Sequence, residues 1–322
     1  MQLAEKLFDI NIKEVPTRDG FGEGLLTLGD SNPDVVVLCG DLVESTRSEA
    51  FSKKFPDRFF EIGVAEQNMM GMAAGFALSG KIPFISSYAV FNPGRNWDQL
   101  RVSVCYSNAN VKVVGAHAGI SVGPDGATHQ GLEDMAITRV LPNLLVVAPC
   151  DSVETKKATI AIANHKGPCY IRFAREKTPV FTTEETPFEL GKAYVFREGK
   201  DATIVSCGPL TYEVLKAANE LYLERSISCE VIHSPTIKPL DVGTIVESAK
   251  KTKAVLTVEE HQITGGLGGA VCEALSEHYP VKVKRVGMPD TFGESGQPKE
   301  LLEKYGMSSN HIKVAIRHLL NV

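Results

Sequence analysis

Short apolar runs alternate with longer amphipathic stretches along this chain. The runs Val35–Cys39, Ile82–Ile85, Val111–Gly115, Leu144–Ala148 and Cys169–Phe173 are near-continuous rather than alternating. That is the pattern of strands covered on both faces, as in parallel sheets. Between them, Glu66–Ser79, Trp97–Cys105, Leu132–Val140 and Val153–Asn164 read as helices. Asp151 and Ser152 offer an N-cap to the last of these, with Glu154 in its first turn. Strand–helix alternation implies an α/β fold with a doubly wound, mostly parallel sheet.

From about Glu176 to Leu190 the pattern lapses into a Thr-, Pro- and Glu-rich stretch that reads as a linker. A second unit follows, with strands at Ala202–Ser206, Cys229–His233, Ala254–Glu259 and Val281–Val286. Its helices are expected at Tyr212–Arg225, Val242–Lys250, Gly268–His278 and Ser309–Leu320. The expected division is a first domain over 1–178, a linker over 179–190 and a second doubly wound domain over 191–322.

Composition narrows the function classes. The chain has 322 residues, 43% hydrophobic and 23% charged, with net charge -5 and no basic run. Nucleic acid is therefore not an expected partner. No run of about 18 apolar residues is present, so no membrane span is expected. Glu5, Lys6 and Asp9 interrupt the first 16 residues, which argues against a signal peptide and, with Met1, for a natural start. Seven cysteines are scattered without a C-x-x-C pair, which reads as reduced thiols in a cytoplasmic protein rather than a zinc site.

Five segments carry candidate chemistry. Gly63-Val64-Ala65-Glu66-Gln67 puts a carboxylate where a strand ends and a helix begins, the edge at which open parallel sheets bind ligands. Glu66 also reads as a simple favourable charge on the helix dipole. The helix after it, Met69 to Ala77, is crowded with small residues that let another backbone approach. The loop His117-Ala118-Gly119 through Asp125-Gly126-Ala127-Thr128-His129-Gln130 leaves a strand end and carries proton-transfer and hydroxyl-binding groups. Tyr88, Phe91, Arg95 and Trp97 fall on another such loop, suited to a flat heterocycle or to a core. Arg172 and Arg175 suit anion capture or a structural ion pair. Gly265-Gly266-Leu267-Gly268-Gly269 looks like a phosphate cradle, but Val271 stands where a dinucleotide motif needs glycine. Close helix–strand packing is its expected use.

In this order and spacing the segments resemble the pyrimidine-binding and C-terminal domains of transketolase, from about Thr17 onward. Gly-Val-Ala-Glu66-Gln and Val-Gly-Pro-Asp125-Gly-Ala-Thr-His129-Gln are the most specific elements. The resemblance implies thiamine diphosphate as cofactor and ketol transfer between sugar phosphates. It implies that Glu66 meets N1′ of the aminopyrimidine, with Tyr88, Phe91 and Arg95 around that ring and Asp41 near the cofactor and subunit boundary. A carboxylic acid bonded to that nitrogen must be able to donate, which a water-poor pocket promotes. His117 is implied as proton acceptor, His117 and Asp125 as neighbours of the sugar hydroxyls, and Arg18, Ser45, His129 and Arg175 as contacts to the substrate phosphate.

One departure matters. Transketolases carry a Gly-Asp-Gly segment and a later Asn that bind a divalent metal and the diphosphate. Here Asp30 and Asp41 follow glycines, but Ser31 and Leu42 come next. No metal ligand is therefore expected on this chain. A separate N-terminal subunit should bring the Mg2+ or Ca2+ and the diphosphate site, with two copies of each subunit. The sequence also resembles deoxyxylulose-phosphate synthase and the β subunit of 2-oxoacid dehydrogenase. An apolar docking patch is expected near Met69, Met72 and Phe91.

Overall fold

A computed structural model describes residues 2–322. In chain order the first unit contains β1 (Glu14–Pro16), α1 (Thr17–Ser31), β2 (Val35–Cys39), α2 (Glu49–Lys54), β3 (Phe59–Glu61), α3 (Glu66–Leu78), β4 (Ile82–Tyr88), α4 (Trp97–Gln99), β5 (Lys112–Ala116), α5 (Asp134–Arg139), β6 (Leu145–Val147), α6 (Ser152–Asn164), β7 (Cys169–Arg172) and β8 (Lys177–Pro179). The second contains β9 (Tyr194–Arg197), β10 (Ala202–Ser206), α7 (Thr211–Arg225), β11 (Cys229–His233), β12 (Thr236–Lys238), α8 (Val242–Thr252), β13 (Ala254–Gln262), α9 (Leu267–His278), β14 (Lys282–Met288), α10 (Pro298–Lys304) and α11 (Ser309–Leu320).

The larger sheet runs β12-β6-β7-β5-β4-β2-β3 and the smaller β14-β13-β10-β11-β9. Only β12 and β9 run antiparallel within them. Every residue of β2 and β5 is buried, which explains their unbroken apolar runs. The parallel order places the carboxyl ends of β2, β3, β4, β5 and β7 on one edge. The loops leaving that edge carry Ser45, Glu66, Tyr88, His117 and Arg175.

Four features depart from the sequence reading. α1 has no predicted counterpart. Its glycines are an interface: a Cβ on Gly20 would lie 1.9 Å from the Ser152 carbonyl oxygen of α6. The helix expected at Trp97–Cys105 is a short turn that widens into a π-helix over Leu100–Tyr106. The linker is partly ordered, because β8 pairs with β1. β12, from the second half of the chain, pairs with β6 and closes one edge of the first sheet.

Candidate active site

Glu66 is the first residue of α3, and only 3% of it is exposed. The loop before it is shaped by Glu61, whose carboxylate accepts the backbone N–H of Asp41 at 2.7 Å and of Gly63 at 2.8 Å. Gly63 needs its glycine, since its φ is +74°. The Tyr88–Trp97 loop is pinned by buried Asn92, which donates to the carbonyls of Ile85 and Val114. Asn96 then donates to the Glu66 carbonyl at 3.1 Å. Arg95 follows, its Nη1 at 3.2 and 3.3 Å from the two oxygens of the Glu66 carboxylate. Its guanidinium also lies 4.1 Å from the centre of the Phe91 ring. Around these groups lies an open hollow of about 420 Å³, lined by Val64, Ala65, Glu66, Gln67, Asn68 and Arg95.

Aromatic rings connect this hollow to a second, more enclosed region. Phe91 stacks with Tyr88 at 6.2 Å, and Tyr88 with the His117 ring at 4.3 Å. His129 meets Phe91 edge-on at 5.4 Å. His117 is fully buried with φ +54°. Its Nε2 lies 3.2 Å from the Ser45 carbonyl, to which Arg18 Nη1 also donates at 3.0 Å. His117 Nδ1 and Arg18 Nε are both buried, and neither meets a protein partner. Burial, then the charges of Arg18 and Arg175, lowers the His117 pKa to about 3. Burial and Arg47 pull Arg18 downward as well. The guanidinium groups that repel a proton from His117 attract an anion. Arg175 is paired with Asp125 at 2.8 Å, and the Tyr88 hydroxyl reaches Ser45 Oγ at 3.3 Å. His129 Nδ1 is 2.9 Å from the Thr128 hydroxyl.

The structure thus brings Arg18, Ser45, Glu66, Tyr88, Phe91, Arg95, His117, Asp125, His129 and Arg175 to one sheet edge. Asp41 stands beside them, exposed, with φ +61°. Where the sequence left two readings open, the structure selects the structural one for Arg172 and for the glycine segment, as expected for the latter. Arg172 does not face an anion site: it is buried, paired with Asp134 at 2.8 Å, and donates to the Glu260 carbonyl. The Gly265–Gly269 segment does not cradle phosphate. Glu259 already occupies the N-terminus of α9, accepting from the backbone N–H of Leu267 and Gly268 at 2.6 and 2.7 Å. A Cβ on Gly266 would lie 2.1 Å from that carboxylate, so the glycines serve close packing. Met69 is core, fully buried, and not part of an exposed patch. Exposed apolar side chains stand before α3 (Val64), along it (Met72, Leu78) and on the π-helix packed against it (Val102, Tyr106). Gly71 and Gly75 of α3 face open space.

Sequence reading missed Glu61 and Arg47, whose signals are single charges outside any motif. Among the described residues, Cys150, Glu154 and His233 form the one cluster of potential metal donors. Glu154 Oε2 already accepts from the Cys150 N–H and lies 2.8 Å from His233 Nε2, so this is a buried bond between the two units. All seven cysteines are free thiols.

Comparison with known proteins shows the family. The transketolase pyrimidine-binding domain matches residues 13–180, and the transketolase C-terminal domain matches residues 191–312. The chain is 47% identical to a putative transketolase C-terminal section of Methanocaldococcus jannaschii, over 92% of this chain and 93% of that protein. It is 40% identical to a 6-deoxy-6-sulfo-D-fructose transketolase subunit of Clostridium sp., over 95% and 94%. A solved structure described as a split gene transketolase, inactive beta4 tetramer, superposes with TM-score 0.89 at 46% identity, covering 95% of this chain and 99% of that one. The chain therefore belongs to the transketolase family and corresponds to its C-terminal section.

Proposed function

We propose that this chain is the C-terminal subunit of a two-chain transketolase, moving a two-carbon ketol unit from a ketose phosphate to an aldose phosphate. Thiamine diphosphate would lie at the interface with an N-terminal subunit, which brings the divalent metal. The observation that carries the reading is a buried carboxylate in an open hollow, joined by aromatic rings to a guanidinium-lined basin. This chain has no diphosphate motif beside them. The relatives named above are transketolases, which disfavours the synthase and dehydrogenase readings.

The residues fit the cofactor in kind. Glu66 offers a buried carboxylate to the aminopyrimidine, and Phe91 and Tyr88 offer ring faces. Arg95 lies against both Glu66 and Phe91, so it stands where the resemblance places it, beside the ring that the cofactor would bring. Bound there, thiamine diphosphate supplies the carbon nucleophile that no side chain can supply. His117 is neutral at working pH and holds an unpartnered ring nitrogen, so it can accept a hydrogen bond from a sugar hydroxyl, and it takes the proton itself only once a bound substrate anion offsets the Arg18 and Arg175 charges that lower its pKa. Asp125 takes a hydroxyl hydrogen bond. Arg18, Arg175, His129 and Ser45 hold the distal anion and fix the reacting carbon.

Two copies of each subunit form the proposed complex, in the cytoplasm and in pentose phosphate metabolism. The split-gene relative is described as a tetramer of one chain, which supports self-association. The test is calorimetric titration of thiamine diphosphate with Mg2+ into this chain, the N-terminal subunit and their mixture. Tight binding by the mixture alone supports the shared site. Equal binding by this chain alone contradicts it.

A further inference from the structure

The loop that carries His117 and Asp125 is irregular, a short 3-10 segment interrupted by left-handed residues. His117, Gly119, Gly123 and Gly126 all have positive φ, at +54°, +90°, +74° and +76°. Its 3-10 turns over Ile120–Asp125 are broken at Gly123, whose φ of +74° and ψ of -112° are not helical, and the Gly126 N–H closes on the Gly123 carbonyl at 3.1 Å. Such a segment takes its geometry from what grips it. From the first unit, Phe173 accepts the Ala118 N–H at 3.0 Å and Gly131 accepts the Gly119 N–H at 2.8 Å. Arg175 also reaches the Val122 carbonyl at 3.4 Å and Asp125 at 2.8 Å, and further grips come from the second unit. Glu260 reaches out of β13, and its Oε1 accepts the Ser121 N–H at 2.5 Å. A Cβ on Gly119 would lie 2.4 Å from the same oxygen. The Glu294 carbonyl accepts from Gln130 Nε2 at 2.9 Å, and that amide also donates to Ile120.

Glu260 is an unusual choice of anchor. It is 6% exposed, and the nearby Arg172 guanidinium donates to its carbonyl rather than its carboxylate. A buried carboxylate without a cation is costly. Burial pushes the Glu260 pKa upward, and the bond to Ser121, then the Arg172 charge, works against that rise. Its neighbours on β13 face elsewhere: Glu259 caps α9, and His261 Nε2 accepts the Ala136 N–H at 3.3 Å.

We propose that Glu260 is a positioning residue for ketol transfer: the second unit uses its carboxylate, through Ser121, to set His117 and Asp125 against Arg18 and Arg175. This rests on the function proposed above. It gives the C-terminal unit a role in substrate placement, although it lends the site no residue that touches substrate. The Glu66 hollow is held by Glu61 instead, so the two halves of the site answer to different anchors.

The test uses the assembled two-subunit complex with thiamine diphosphate and Mg2+, comparing Glu260→Ala and Glu260→Gln with wild type. Glu260→Ala should raise the ketose-phosphate KM about tenfold or more, because small misplacements of binding groups are expensive. Its half-saturation by thiamine diphosphate should stay at the wild-type value. Glu260→Gln keeps an acceptor for Ser121 and should stay within about threefold of wild type. A general loss of folded protein would scale kcat for every substrate and leave KM unmoved, and that pattern overturns the proposal. Equal loss in both variants also overturns it, since it removes acceptance from Ser121 as the cause. If the wild-type complex transfers no ketol at all, the proposed function falls. Hydrogen exchange on the isolated chain still judges the anchor: faster exchange at 118–126 in Glu260→Ala, with β13 unchanged, supports it, and unchanged exchange there overturns it.

Discussion

The hollow at Glu66 and the basin at His117 are built from the same sheet edge but finished to different degrees. In the basin, the ring of His117 is enclosed by Tyr88, Arg18 and Ser45, and Arg175 is paired with Asp125. In the hollow, the cation on Glu66 is a half-exposed arginine, and Val64 and Met72 lie bare beside it. The basin is preorganised within one chain. The hollow has a carboxylate and a wall but no lid, and burial of that apolar rim needs another surface. On the function proposed above, this difference would leave one chain with a finished substrate basin and half of a cofactor site.

The largest expected effect falls on the hollow. Glu66→Ala should leave folding and assembly intact and lower turnover of the complex at least about 100-fold, the range of a lost proton-transfer group. Loss of assembly with unchanged activity per assembled complex, read by sedimentation and steady-state rates, would remove the proton role. Next comes the basin. Arg175→Ala should raise the ketose-phosphate KM about 10- to 100-fold by removing a charged hydrogen-bond donor, with less effect on a ketose lacking the distal anion. Equal effects on both ketoses would place Arg175 outside the anion site.

The basin also makes a pH prediction. The His117 pKa is lowered from 6.5 to about 3, so its base form persists across the working range. The kcat/KM profile should show no acid limb near pH 6.5 from this group. In the unfolded chain His117 takes up a proton near its ordinary pKa, while the folded chain refuses it until about pH 3. Stability from this group is therefore full above pH 6.5 and is lost as pH falls toward 3. Thermal unfolding of wild type should weaken over that window more than that of His117→Gln; parallel curves would contradict the buried neutral ring. The smallest effect belongs to the rim. Met72→Lys and Tyr106→Ser should weaken subunit association several-fold with little change in Tm, because both side chains are exposed in the single chain. Unchanged association would move the docking surface elsewhere.

Much of this arrangement was legible in the sequence, for identifiable reasons. β2 and β5 are buried on both faces, so their apolar runs are unbroken. Loops at strand ends concentrate polar groups, which made Glu66 and the His117–His129 segment visible. α1 was not legible, because glycines at 20, 22, 24 and 29 lower helix propensity. Those positions are what allow contact with α6 and α2, so tertiary packing overrides the local preference. Arg172 resembled an anion ligand because its neighbour Arg175 is one candidate. Arg172 ends β7 whereas Arg175 lies in the loop beyond it, and Asp134, the partner of Arg172, lies far away in sequence. Glu61 and Glu260 escaped for a similar reason. Each acts on a backbone N–H of another segment, and no local motif records such a partnership.

The measurement closest to the centre of this account is ketol transfer to ribose 5-phosphate, with thiamine diphosphate and Mg2+, by this chain, the N-terminal subunit and their mixture. Both xylulose 5-phosphate and 6-deoxy-6-sulfofructose serve as donors, since a relative 40% identical is named for the latter. The account predicts transfer by the mixture alone, from at least one donor. Transfer by this chain alone, or none from an assembled mixture with either donor, would contradict it.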